Sequence, residues 1–301
     1  MKKSILLPLL LLAVTFPSFA EDGSAESEAM GFLRYERNPS RAAMAGAGSA
    51  LTNLGSAFSA FGSPSLGVKA GKRLEAGGSY AIWAPSINGT TNIALGANYL
   101  ISPGLAVSAG YVAESFKEIS LGDGTSYAPG NRIIAAAASL ALTHSLSIGA
   151  SVNIATEQLL EDYSVSGTSV DVQVNYQISG FSVAGGMRCL GGKVSDSSLP
   201  TSAVIALGYS RTFGSVDIAL GSDADYYLSG NWSAAAGAEA TFLKIAHLSA
   251  GYRYSSPGAV IPSHLALGAG ASFRGIRVTA TWLGCSEYLD GSILFGLTAG
   301  F

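Results

Sequence analysis

Few residues in this chain have the type and spacing to do chemistry, and each such place stops short of a site. A hydrolase needs a nucleophile beside a base. His264 follows Ser263, the one candidate pair worth stating, and it reads more simply as a rim histidine facing water. His144 and His247 fall at expected tight turns. The run Gly67-Val68-Lys69-Ala70-Gly71-Lys72-Arg73 is one residue short of a phosphate loop and lacks a Ser or Thr after the lysine. Gly46-Ala47-Gly48 lacks the third glycine of a dinucleotide fingerprint. Cys189 and Cys285 have neither CxxC nor His-rich spacing, so no metal or cofactor is expected, and the two are read as unpaired. An enzyme is not expected.

The charged residues carry more information. By alternation Arg73, Glu75, Asp171, Arg188, Asp217, Glu239, Arg253 and Arg277 share one face of their strands. If the sheet closes in a membrane, that face is the inside, because a charge on the lipid side costs about 2–4 kcal/mol at the midplane. The set is balanced in sign. An ion-selective pore would show one dominant sign, whereas a balanced set suits ion pairs that hold an inner segment. Arg41 is the best tie for such a segment, since a five-donor guanidinium can bridge several acceptors. Asp171, Asp217 and Glu239 are its expected partners.

The elements that must position these groups are strands. Ser145, Ser147, Gly149, Ser151 and Asn153 alternate with Leu146, Ile148, Ala150, Val152 and Ile154. Asp171, Gln173 and Asn175 alternate with Val170, Val172, Val174 and Tyr176. Strict period 2 gives one apolar and one polar face. Fourteen strands are expected, over 71–84, 90–101, 104–114, 131–143, 145–157, 168–178, 180–189, 201–213, 215–223, 231–243, 245–255, 262–273, 275–284 and 291–301. Very short turns then alternate with longer loops, which is the pattern of an outer-membrane barrel. An even count places both chain ends on the short-turn, periplasmic side.

Composition agrees. Charged residues are only 12% of the 301, and mean hydropathy is +0.35. Yet the longest apolar block after the start, 133–142, is too short for a spanning helix. A closed barrel reconciles the two. Residues 1–20 read as a secretory signal: Lys2-Lys3, an apolar run from Ile5 to Val14, and Ser18-Phe19-Ala20 before the expected cut. Losing the two lysines leaves 15 basic against 20 acidic residues, a net charge of −5, which excludes nucleic acid as an expected partner. Residues 21–29 form an acidic flexible segment. Residues 30–70 are Gly/Ala-rich without period 2 and have too little apolar bulk for their own core, so they are expected as a hatch inside the barrel formed by 71–301. The chain closes on a strand whose outward face carries Phe295, Leu297 and Phe301, the expected signal for the barrel-insertion machinery.

At the hatch the chain resembles a known family. Phe32-Leu33 followed by Arg41-Ala42-Ala43-Met44-Ala45-Gly46-Ala47-Gly48-Ser49-Ala50 is similar to the N-terminal signature of the PorV/PorQ proteins, within the FadL-like class of outer-membrane barrels. Glu161-Asp162-Tyr163, Val170 to Tyr176 and Met187 to Gly191 resemble the middle strands of that family. Where the family carries Asn-Pro-Ala, this chain has Ser63-Pro64-Ser65, keeping the proline. The resemblance implies a fourteen-stranded barrel in outer-membrane lipid with an N-terminal hatch. It also implies a non-enzymatic role in type IX secretion, with secretion components or exported cargo as partners. The alternative is a FadL-like transporter for hydrophobic small molecules. A transporter would show an apolar pocket under the outer loops and a gap in the wall, and a secretion component a lumen filled by its hatch.

Overall fold

The computed structural model describes residues 28–85, 89–120, 126–160, 163–286 and 288–301. The signal at 1–20, most of the acidic segment and the Glu161-Asp162 pair lie outside them. From Leu74 onward the chain is strand after strand: β1 Leu74–Trp83, β2 Thr90–Ser102, β3 Leu105–Ser115, β4 Ile119–Ser120, β5 Ser126–Tyr127, β6 Gly130–Ala141, β7 Leu146–Leu160 and β8 Tyr163–Ile178. There follow β9 Phe181–Gly191, β10 Ser202–Phe213, β11 Val216–Tyr227, β12 Trp232–Phe242, β13 Ala246–Ser255, β14 His264–Phe273, β15 Ile276–Gly284 and β16 Ser292–Gly300.

Fourteen of these strands form one closed antiparallel barrel, each paired with its neighbours in sequence. The two-residue strands β4 and β5 make a separate hairpin within the loop between β3 and β6. Closure is made by β1 and β16, from Glu75 opposite Gly300 to Ile82 opposite Ile293. Phe301 extends the seam: its N–H donates to the Leu74 carbonyl, and its own carbonyl accepts from Arg73 and Leu74. A closed ladder leaves no unpaired strand edge, which a bilayer would not tolerate. Among the described residues no helix is long and apolar enough to cross a membrane.

The two faces sort as the alternation requires. On β7, Ser147, Ser151 and Asn153 are buried toward the lumen, while Ile148, Val152 and Ile154 are exposed on the outer wall. On β16, Phe295 and Leu297 face outward beside exposed Phe301, and Ser292 and Leu294 face inward. Both chain ends of the barrel lie at the rim of tight turns, here the near rim. The longer connections, 192–201 and 256–263 among them, gather at the far rim.

Several strands outrun their expected limits, β8 and β11 the most. β8 starts at Tyr163 rather than 168, and β11 reaches Tyr227 rather than 223. Small residues such as Gly167 on β8 kept the alternation without apolar bulk to announce it. One expected lumen charge is corrected. Arg73 precedes β1, is exposed, and sets its guanidinium 5.6 Å from the ring centroid of Tyr99 on the outer wall. At the open near rim the long side chain can leave the lumen for an aromatic face and water.

Candidate functional site

The segment from residue 28 to the start of β1 occupies the lumen. It has only short helical turns, Gly31–Arg34, Pro39–Ala42, Thr52–Leu54 and Pro64–Lys69. Two of these begin on a proline, whose missing N–H is no loss at a helix start. Asn38 caps the second by accepting from the Ser40 N–H at 3.0 Å. Nearly every residue from Arg37 to Ala60 is buried, although the segment has no sheet or long helix of its own. Its burial comes from the wall.

The wall makes room with glycine. Gly208, Gly221, Gly237 and Gly251 stand opposite one another across β10, β11, β12 and β13. A Cβ on Gly221 would lie 2.9 Å from the Gly48 backbone, and one on Gly251 would lie 2.3 Å from that of Met44. Across the barrel, a Cβ on Gly149 would lie 2.4 Å from the Pro64 carbonyl carbon. This belt lets the segment's backbone rest directly on the sheet, the close approach that only glycine permits. Within the segment Gly46 has φ +82°, and a Cβ there would also lie 2.6 Å from an Arg253 nitrogen.

Charge holds the same joint. The anchor on the wall is Asp223 and Asp225 of β11. Asp223 accepts from the backbone N–H groups of Gly48, at 2.7 Å, and Ser49. Asp225 pairs with Arg34 of the segment and, at 3.5 Å, with both Arg188 and Arg253 of the wall. Arg253 also donates to the Ala45 carbonyl at 3.1 Å. Burial alone would lower the pKa of Arg34, but the Asp225 carboxylate bonded to it holds the guanidinium above its ordinary value. The cation is therefore kept.

Of the residues named from sequence, Arg188 and Arg253 join this cluster. Glu75 reaches the segment separately, accepting from the Ser56 N–H at 2.6 Å. Arg41 is buried as expected, but its expected partners are corrected. It donates to Ser63 Oγ at 2.7 Å and pairs with Glu36 at 3.0 Å, so it mainly ties the segment to itself, with Asp223 at 4.0 Å as its contact on the wall. Asp171 is spent on Ser151, Asn153 and the Cys189 N–H. Asp217 accepts from Thr212 near the near rim, and Glu239 pairs with Arg277 inside the wall. Short carboxylates on the wall bond the nearest donors, and for these three the nearest donors are on other strands of the wall rather than on the segment. Pro64 and Gly46 sit where the segment meets β7 and β13. Arg34, Asp223 and Asp225 were missed. Continuing the alternation of Asp217 through 219 and 221 would have found both aspartates.

Above the segment, under the far-rim loops, lies a cavity of about 780 Å³. Trp83, Phe116, Tyr254, Val260, Leu283 and Leu289 supply much of its lining, and Tyr35, Glu36 and Ala42 of the segment form its floor. The loop 256–263 covers one side, with Val260 near Gly31. A pocket of this size and lining suits a small apolar molecule. His264 borders it, but its Nδ1 sits 2.9 Å from the Pro262 carbonyl oxygen, and Ser263 Oγ accepts from the Ser255 N–H. No nucleophile and base are joined there. Cys189 is buried and Cys285 exposed, and both are free, as expected.

No family model matches the chain, and no curated protein matches its sequence. Solved structures do. The CymD monoaromatic hydrocarbon channel superposes with a TM-score of 0.62 at 12% identity, over 88% of this chain and 97% of that one. The fold is FadL-like. The Pseudomonas putida toluene transporter TodX gives a TM-score of 0.58 at 12% identity, over 89% and 99% of the two chains. A Pseudomonas aeruginosa FadL homologue gives 0.55 at 11% identity, over 87% and 95%. At these identities the likeness is one of fold.

Proposed function

We propose that the protein is an outer-membrane transporter for hydrophobic small molecules. In this reading the far rim and its loops face outside, and the near rim with both chain ends faces the periplasm. Residues 1–20 direct export, and the insertion machinery receives the strand ending at Phe301. The observation that carries the proposal is the apolar cavity of about 780 Å³ under the far-rim loops, floored by the inner segment. A molecule captured there meets Tyr35 and Glu36, so movement of the segment is what would let it pass. The shared fold with hydrocarbon and toluene channels supports the same class of job.

The type IX secretion role implied by the PorV/PorQ resemblance rests on the filled lumen. The apolar cavity under the far-rim loops is the feature expected of transport and not of docking, and it is what tips the choice. Uptake of a radiolabelled alkylbenzene by cells with and without the protein in the outer membrane tests the proposal. Faster uptake with the protein supports it. Equal uptake, together with recovery of the protein in a complex with secretion components, would overturn it in favour of docking.

A further inference from the structure

The outer edge of the near rim carries charge of one sign. Arg211, two residues before the end of β10, faces outward on the same side of the strand as Phe213. Lys244 stands in the turn between β12 and β13, and Arg274 in the turn between β14 and β15. Lys72 and Arg73 lie beside the seam of β1 and β16. All five are exposed. Their places follow one another around the barrel, from β10 through β16 to β1. The other tight turns, at Pro103-Gly104, Thr143-His144 and Ser179-Gly180, hold no Lys or Arg. Of the carboxylates near this rim, Glu75 bonds Ser56 of the inner segment and Asp217 bonds Thr212, so neither neutralises the arc.

Turn chemistry does not call for these cations. Leu243 and Lys244 have φ of 53° and 60°, and Arg274 has 48° before Gly275 at 85°. Such turns favour Gly, Asn or Asp. Ser179-Gly180 makes one without charge, at 49° and 86°. A demand from outside the turn therefore keeps Lys244 and Arg274 there. Three of the guanidinium groups also lie over exposed rings of the outer wall. Arg73 is 5.6 Å from the ring centroid of Tyr99, Arg211 is 5.3 Å from that of Phe213, and Arg274 is 5.1 Å from that of Phe273. Aromatic rings with long cationic side chains beside them mark the boundary between bilayer and water. An acidic protein beneath the barrel would meet Lys244 and Arg274, but Arg211 points sideways from the wall. Headgroups at the bilayer edge reach all of them. We infer that this arc binds anionic phospholipid headgroups in the leaflet at the near rim. Each guanidinium can take two oxygens of a phosphodiester, and the rings pack on the glycerol and upper acyl carbons. The binding requires a wall in lipid and is independent of what the cavity carries.

The test places the purified full-length barrel in phosphatidylcholine vesicles with a trace of spin-labelled phosphatidylglycerol or spin-labelled phosphatidylcholine. The motionally restricted fraction of each label measures its association with the wall. Phosphatidylglycerol is expected to associate about threefold more strongly than phosphatidylcholine at low salt. The two should associate about equally in about 1 M NaCl, where the Debye length falls to about 3 Å. Arg211→Gln, Lys244→Gln and Arg274→Gln combined should abolish the low-salt preference. Lys117→Gln, Arg132→Gln and Lys193→Gln combined remove the same charge toward the far rim and should leave it unchanged. Heat-modified migration on gels establishes that both variant barrels are folded. Equal association of the two lipids with the unaltered protein would overturn the inference. So would a preference that survives the near-rim changes, or one that the far-rim changes remove equally. Loss of cross-linking to an acidic periplasmic protein in the near-rim variant, with no lipid preference to lose, would make the arc a protein-docking face instead.

Discussion

Asp225 has more depending on it than any residue named from sequence alone. Three guanidinium groups converge on it, one from the inner segment and two from the wall. Removing one partner of a buried ion pair leaves the others uncompensated and costs about 3–5 kcal/mol. Asp225→Asn should therefore lower the temperature at which the barrel loses its heat-modifiable form, and by more than Arg41→Ala. Arg41 mostly bonds Ser63, Gly46 and Glu36 within its own segment. If Arg41→Ala proved the more damaging, the tie between wall and segment would have been misplaced. Gly251 tests the other half of the joint. A side chain there would collide with the Met44 backbone, and overpacking typically costs about 1–3 kcal/mol. Gly251→Leu should give a folded barrel with a displaced segment, seen as new protease cleavage between residues 28 and 70.

At the scale of the element, the strands carry their assignment in the period of their residues. On β7, cysteines introduced at Ile148 and Val152 should be reached by quenchers dissolved in the lipid phase, and those at Ser147 and Ser151 should not. The reverse outcome would mean a shift of one residue, which turns every side chain over. On β16, Phe301 both closes the seam with Leu74 and projects outward, 73% exposed. Deleting it should reduce the yield of assembled barrel in outer membranes. Unchanged yield at low and high expression would separate the seam from the insertion signal.

At the scale of the whole molecule, a fourteen-stranded wall encloses enough width for an aqueous channel once emptied. The segment prevents that. The intact protein should conduct poorly in planar bilayers, and removal of residues 30–70 should produce large, noisy steps if the barrel survives. Steady large pores from the intact protein would show that the lumen is open and would favour a porin. The same experiment on Asp225→Asn should give intermediate, flickering openings, because the segment then keeps its glycine seats and loses its charge anchor.

The architecture was legible in the sequence because a barrel strand writes its two faces residue by residue. Strand number, the turn pattern and the direction of Phe295 or Ser151 follow from local alternation, which needs no knowledge of distant contacts. The inner segment could be recognised as lacking a core of its own, and Arg41 as buried. Which carboxylates would hold it could not be read. Asp171, Asp217 and Glu239 share the inward face with Asp223 and Asp225, and only the height and circumference at which each meets the segment separates a bond to Gly48 from a bond to a neighbouring strand. The glycine belt has the same origin: its members lie far apart in the chain and become one row only when the register brings them together. The cavity belongs wholly to the tertiary structure. It lies between Tyr35, Glu36 and Ala42 of the segment and the loop 256–263, residues brought together only by the closed barrel.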